Sequence, residues 1–319
     1  MSLGEFDLIA RYFTRPAHRA ALGVGDDCAL LAVAPGMQLA TSCDMLVEGR
    51  HFLSTVAPEH LAHKALAVNL SDLAACGAAP LAFTLALALP RVDEGWLDGF
   101  ARGLFELADA HDCELVGGDT TQGPLNICIT VFGEVPLGAA LLRSGARAGD
   151  DIYVSGTLGD ARLALETFRG KLALPGSDFA AARIAMERPQ PRLALGRALR
   201  GVASSAIDLS DGLLGDLGHV LRSSGVGAVV EADTVPRSAI LAAQPPDVQH
   251  ECTLAGGDDY ELLFTAPPAR ADAVRKASST AAVAVTRIGR ITAGAGLQVI
   301  DRGGRPLDRT FASFDHFRP

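Results

Sequence analysis

Aspartates gather in six short segments of this 319-residue chain: Gly23-Val-Gly-Asp-Asp-Cys28, Ser42-Cys-Asp44, Asn69-Leu-Ser-Asp72, Gly117-Gly-Asp119, Ile207-Asp-Leu-Ser-Asp-Gly212 and Gly256-Gly-Asp-Asp-Tyr-Glu261. Most read as junctions, where a strand or Gly-rich turn meets the next element. Ligands of α/β proteins sit at strand ends, and glycine lets backbone approach a ligand closely. Aspartate holds its carboxylate on a short, low-entropy arm. Carboxylates brought close raise each other's pKa, and a divalent cation relieves that repulsion. Mg²⁺ takes oxygen ligands together with waters and substrate phosphates. The pattern therefore points to Mg²⁺ and a polyphosphate. Any one segment alone reads more readily as a turn, because Asp and Gly are ordinary turn residues; six segments of the same grammar weaken that reading.

Other phosphate-handling patterns are missing. There is no G-x-x-x-x-G-K-[ST] and no H-R-D…D-F-G set. Gly23-Val-Gly25 opens like a dinucleotide fingerprint, but acids follow where glycine is needed. Ser210 and Asp211 precede an apolar helical stripe (Leu213, Leu214, Leu217, Val220, Leu221). That places them at a helix N-terminus, either as plain caps or with free amides that cradle a phosphate. Asn69 and Asp72 lie three apart in an Ala/Leu-rich stretch, so they share one helix face.

The elements that must position these residues alternate between strand and helix patterns, an α/β (α+β) protein. Strands are predicted at Met37 to Cys43, Leu81 to Leu89, Asn126 to Val135, Asp151 to Ser155, Ala206 to Asp208, Tyr260 to Thr265 and Val283 to Ile291. Helices are predicted at Pro58 to Cys76, Asp93 to His111, Ala161 to Phe168, Phe179 to Glu187 and along the Leu213 stripe. The length suits two domains, with expected bounds of residues 1–146 and 147–319.

Charge narrows the partners. Lys plus Arg number 28 and Asp plus Glu 37, a net charge of −9. That balance argues against nucleic acid and against an anionic membrane surface. Setting the clustered aspartates aside leaves a chain close to neutral. No apolar run has the length of a membrane helix, and the N-terminus lacks a signal-peptide plan. The six cysteines form no Cys-X-X-Cys pair, so reduced thiols and a cytoplasmic location are expected.

Read in order, these motifs resemble the thiamine-monophosphate kinase family, within the superfamily that includes aminoimidazole ribonucleotide synthetase and selenophosphate synthetase. GVGDDCALL, EGRHF, KALAVNLSDLAACGA, VGGDTT, LLRSGA, SAIDLSDGLLGDLGH and GGDDYEL carry the likeness across nearly the whole chain. The resemblance implies a two-domain fold whose N-terminal sheets pair across a homodimer, with the active site in the cleft between domains. It implies ATP-dependent phosphorylation of thiamine monophosphate to thiamine diphosphate with Mg²⁺. By the same resemblance Asp27, Ser42, Cys43, Asp44, Asp72, Asp119, Asp208 and Asp211 occupy metal-site positions. Gly118, Asp119, Arg143 and Ser210 match nucleotide positions, and His51, Asp258 and Phe314 match substrate positions. Cys43 stands where the family usually has Thr, Asp258 where it has Glu, and Phe314 where Tyr or Trp is common. The acceptor phosphate is itself an anionic nucleophile, so no general base is nominated.

Two alternatives keep the fold. One is an ATP-using enzyme with another acceptor; EGRHF and GGDDYE favour the thiamine branch. The other is a non-catalytic, nucleotide-binding maturation scaffold. Such proteins commonly carry a cysteine-bearing tail, and this chain has no cysteine after Cys252.

Overall fold

The computed structural model describes residues 4–25, 27–307, 309 and 311. Two compact units emerge: Met1–Leu73 with Ala78–Gly138, and Ala74–Gly77 with Ala139–Pro319.

The first unit runs α1 (Glu5–Leu8), β1 (Met37–Val47), α2 (Pro58–Cys76), β2 (Ala79–Leu89), α3 (Glu94–Ala110), β3 (Glu114–Gln122) and β4 (Asn126–Pro136). Its sheet has the order β1-β4-β2-β3. Only the β2–β3 pair is parallel, as α3 between them requires. α2 has the predicted bounds. Proline opens it, where the missing N–H costs nothing, and Gly77 follows its end at φ +70°. Asp93 caps α3 by accepting the Trp96 amide at 3.1 Å.

The strand pleat sorts β1 by parity. Ser42, Asp44 and Leu46 turn toward α2, whereas Leu39, Thr41, Cys43 and Met45 are exposed on the other face. The core lies between the inner face and the helices. Leu66, Leu70 and Leu73 of α2, Phe83 and Leu87 of β2, and Leu97, Phe100 and Leu104 of α3 are almost wholly buried. Trp96 stacks on Phe100 with centroids 4.8 Å apart.

The second unit runs β5 (Asp151–Ser155), α4 (Asp160–Phe168), α5 (Gly176–Glu187), α6 (Leu193–Leu199), β6 (Ser205–Asp208), α7 (Leu213–Ser224), β7 (Gly227–Glu231), α8 (Ala239–Ala242), α9 (Pro246–Ala255), β8 (Leu262–Ala266), α10 (Ala271–Ala281), β9 (Val285–Thr292) and β10 (Gly296–Ile300). Its six strands have the order β10-β7-β9-β5-β8-β6, antiparallel except at β10–β7. The α7 stripe Leu213, Leu217 and Val220 is buried in one cluster with Ile152, Ile207, Leu263 and Ile288 of the strands.

The junctions expected at Asp44 and Asp119 are strand interiors. β1 continues to Val47, and Gly117-Gly118-Asp119 lies inside β3, for which no strand was predicted.

One packing constraint is sharp. A Cβ on Gly103 of α3 would sit 2.0 Å from the Glu59 backbone oxygen of α2. Backbone cannot yield as a side chain can. Gly103→Ala should cost about 1–3 kcal/mol of stability or more, measured as a lowered urea midpoint. An unchanged midpoint would show that the two helices are not held this closely.

Candidate active site

Two of the candidate acids meet in the first unit. Asp72 of α2 accepts a short hydrogen bond from the Ser42 hydroxyl of β1. Asn69, one turn earlier, accepts the Asp44 amide at 3.0 Å and donates to the Ala65 carbonyl at 3.0 Å. The shared face foreseen for Asn69 and Asp72 therefore lies against β1. Burial, and then the charge of Asp72, push the Asp44 carboxyl up to about 6.

Three other candidates lie elsewhere in this unit. Asp27 is exposed. Cys43 sits between Ser42 and Asp44, so the pleat turns its thiol to the opposite face, 3.4 Å from the Cys128 sulfur. Its side chain is not a donor on the Asp44 side. Asp119 aligns with Ala86, Cys128 and Met45, whereas Asp44 aligns with Ile129, Leu85 and Gly118. Adjacent rows face opposite ways, and exposed Asp119 takes the open face with Met45. Gly118 has a packing reason to be glycine. Its φ is +146° and an added Cβ would lie 1.9 Å from the Leu85 oxygen.

His51 is held by the turn after β1. Its Nδ1 accepts the Val47 amide at 2.9 Å, so the neutral ring carries its proton on Nε2. Lys64 of α2, only 3% exposed, donates to the His51 carbonyl at 3.1 Å. Sequence reading passed over Lys64; a lysine opening the Ala/Leu-rich stretch of α2 was the available signal.

In the second unit, Asp208, Ser210 and Asp211 follow one another out of β6. Asp208 is buried, and the other two are half-buried. Of the two readings of this helix N-terminus, plain caps or amides free for a phosphate, neither holds as stated: the amides are occupied. Ser210, Asp211 and Gly212 all donate to Oδ2 of Asp216 in α7, at 3.1, 3.1 and 3.2 Å. The helix cap is Gly212 rather than Ser210 or Asp211. Burial and the Asp211 charge push Asp216 up to about 7, against the pull of those amides. Exposed Arg143 stands near enough to His219 of α7 to lower its pKa, after burial and Arg222, while Asp211 raises it.

Asp258 belongs to a strained loop. It has φ +68° and Tyr260 has φ +50°, both unusual for non-glycine residues. The Tyr260 hydroxyl donates to the Asp258 carboxylate at 3.2 Å. Between them, the Asp259 carboxyl accepts the Gly159 amide at 2.8 Å, and burial holds its pKa well above the usual range. Phe314 lies outside the described residues.

Among the described residues no three His, Cys, Asp or Glu side chains form a ready-made metal cage. The donors present nevertheless fit a hard cation. Asp44, Asp72 and Ser42 offer only oxygen, and burial and the Asp72 charge both disfavour a bare Asp44 carboxylate, which a cation would offset.

Family models match both parts of the chain: AIR synthase related protein, N-terminal domain, over residues 25–135, and its C-terminal domain over residues 147–302. A thiamine-monophosphate kinase of Salmonella typhimurium is 47% identical, covering 99% of each chain. The crystal structure of thiamine-monophosphate kinase from Stenotrophomonas maltophilia is 45% identical, with TM-score 0.84 over 94% of this chain and 97% of that one. AaThiL complexed with AMPPCP and TMP is 30% identical, with TM-score 0.77 over 90% of this chain and 89% of that one. Identity of this extent, over nearly the whole length of both chains, places the chain in the thiamine-monophosphate kinase family.

Proposed function

We propose that this chain transfers the terminal phosphoryl group of ATP directly, in line, to thiamine monophosphate, giving thiamine diphosphate. The observation that carries the reading is the Asp44–Asp72 pair, an oxygen-only, cation-seeking site in a chain 47% identical to a thiamine-monophosphate kinase. Asp27, Asp44, Asp72, Asp119, Asp208 and Asp211 are the metal-binding carboxylates; Ser42 stands beside Asp72, Asp119 would reach a cation from the open face of the first sheet and not from the Asp44 side, and Cys43 could serve only through its carbonyl. Bound Mg²⁺ would supply charge neutralisation for the phosphates. The protein's own task is positioning, since phosphoryl transfer asks for alignment and electrostatic support more than for covalent chemistry. Gly118, Asp119, Arg143 and Ser210 bind the nucleotide, with Arg143 adding a fixed positive charge. His51 presents an Nε2 proton to the substrate, and the Tyr260 hydroxyl aims Asp258. Phe314 faces the cationic ring of the substrate through its π-system. The acceptor phosphate is anionic at neutral pH and needs no base.

We also assign the chain to the cytoplasm. Six free thiols suit a reducing compartment, and among the described residues no helix is long and apolar enough to cross a membrane. The working form is a homodimer. Leu39 and Met45 are 52% and 53% exposed on the open face of the first sheet, where a second copy would cover them.

Three outcomes test these assignments. Purified protein with ATP and Mg²⁺ should yield thiamine diphosphate by chromatography, and Asp72→Asn should abolish it without lowering the melting temperature. A folded wild type that makes no diphosphate would sink the activity. A lowered melting temperature for the variant would make Asp72 structural.

The second concerns metal-free protein. A carboxyl raised from 3.8 to about 6 takes up a proton on folding, so its stabilising contribution is present at low pH and lost as pH rises through about 6. Asp44→Asn should remove that loss and melt a few degrees above wild type near pH 8 in EDTA. Equal melting temperatures of variant and wild type near pH 8 would contradict the raised Asp44 pKa.

The third is assembly. Leu39→Lys should shift sedimentation from dimer to monomer; a monomeric wild type would exclude the dimer.

A further inference from the structure

We propose that Asp216 is a positioning residue, fixing the backbone of Ser210–Gly212 so that Asp208, Ser210 and Asp211 meet a Mg²⁺-nucleotide in one arrangement. The inference rests on the metal and nucleotide roles proposed above for those three residues.

Asp216 is 3% exposed in the first turns of α7. One of its oxygens, Oδ2, receives the amides of Ser210, Asp211 and Gly212. An ordinary helix cap stands before the helix and accepts amides from its first turn. Here the acceptor lies inside the helix and reaches back over the residues that precede it. What it orders is the carboxylate-bearing segment.

The opposite side of that segment is also bound. The Leu209 amide donates to the Glu261 carbonyl at 2.9 Å, and the Leu209 and Ser210 carbonyls accept the Tyr260 and Asp258 amides at 2.8 and 2.9 Å. A Cβ on Gly257 would lie 2.3 Å from the Ser210 oxygen, so the loop presses as close as backbone allows. The amides of residues 209–212 are therefore all engaged, three of them by Asp216. The segment meets a ligand with side chains, not with amides. Without Asp216 those three donors lose their acceptor, and the segment is held from one side only.

Backbone positioning needs an oxygen at that point, not a charge. Asp216→Asn keeps a carbonyl oxygen there, Asp216→Ala removes it, and Asp216→Glu moves it by one methylene. Hydrogen exchange of the Ser210–Gly212 amides in ligand-free protein is the first readout. Affinity for Mg²⁺ with the non-hydrolysable ATP analogue AMPPCP, by calorimetry, is the second. Asp216→Ala should speed exchange at those amides and weaken Mg²⁺–AMPPCP about 10–100-fold, the usual cost of losing a group that orients metal ligands. Asp216→Asn should stay near wild type in both. Should the alanine variant not fold, Asp216→Glu serves in its place with the same expected losses. Slow exchange and unchanged affinity in Asp216→Ala or Asp216→Glu would overturn the proposal, as would Asn and Ala variants that are equally weakened. A wild type that binds no Mg²⁺–AMPPCP, or an Asp211→Asn variant that binds it unchanged, would instead overturn the site assignment beneath it.

Discussion

Two carboxylates on facing elements repel unless a proton or a cation stands with them. In the first unit Asp44 on β1 and Asp72 on α2 are in that position, and burial together with the Asp72 charge keeps the proton on Asp44 up to about 6. Much of the unit serves to keep them there. α2 presents Asn69 and Asp72 on one face, and β1 supplies Ser42 and the Asp44 amide to meet them. Behind α2, α3 comes so close that only glycine fits at position 103. Left alone, the repulsion costs stability; a cation between the two carboxylates would relieve it.

The same tension recurs in the second unit in a different form. Burial and then the charge of nearby Asp211 raise Asp216 to about 7. Here the repelling partner holds the backbone instead of pointing into the same site. A kinase acting on two phosphate-bearing substrates needs excess positive charge when loaded. Empty, it must tolerate excess negative charge. Amide dipoles, buried hydroxyls and raised pKa values make that empty state tolerable.

The sequence carried most of the elements and the family, because both are written locally. Pro58 and Gly77 punctuate α2, and the Leu213 stripe marks α7. β3 was harder, because two glycines and an aspartate in its middle lack the β-branched or apolar alternation that announces a strand. Its place is fixed by tertiary pairing, where Gly118 accepts the close approach of β2. α9 and α10 escaped as well: α9 opens on a Pro-Pro pair that reads as a turn, and α10 is mostly alanine and serine with few apolar anchors. The candidate aspartates could be named from the sequence, but the way each one faces could not. One position separates Cys43 from Asp44, and the pleat sends them to opposite faces. The amide acceptor Asp216 was invisible for the same reason. Nothing in Ser-Asp-Gly says that its N–H groups are already taken.

Asp44 and Asp211 are held by one device built from different residues. In each case a helical side chain accepts the amide of the aspartate itself, which fixes the main chain and leaves the carboxylate to a ligand. Asn69 does this for Asp44, and Asp216 for Asp211. The chemistry explains the choice. Beside Asp44 the acceptor meets one amide and stands next to Asp72, so a third carboxylate would deepen the repulsion with little to offset it. A neutral amide oxygen is the acceptor that adds no charge. Beside Asp211 three amides converge on a single oxygen, and together they offset part of the cost of a charge there. A neutral amide oxygen suits either position, and only where several backbone donors converge is a carboxylate tolerated as well.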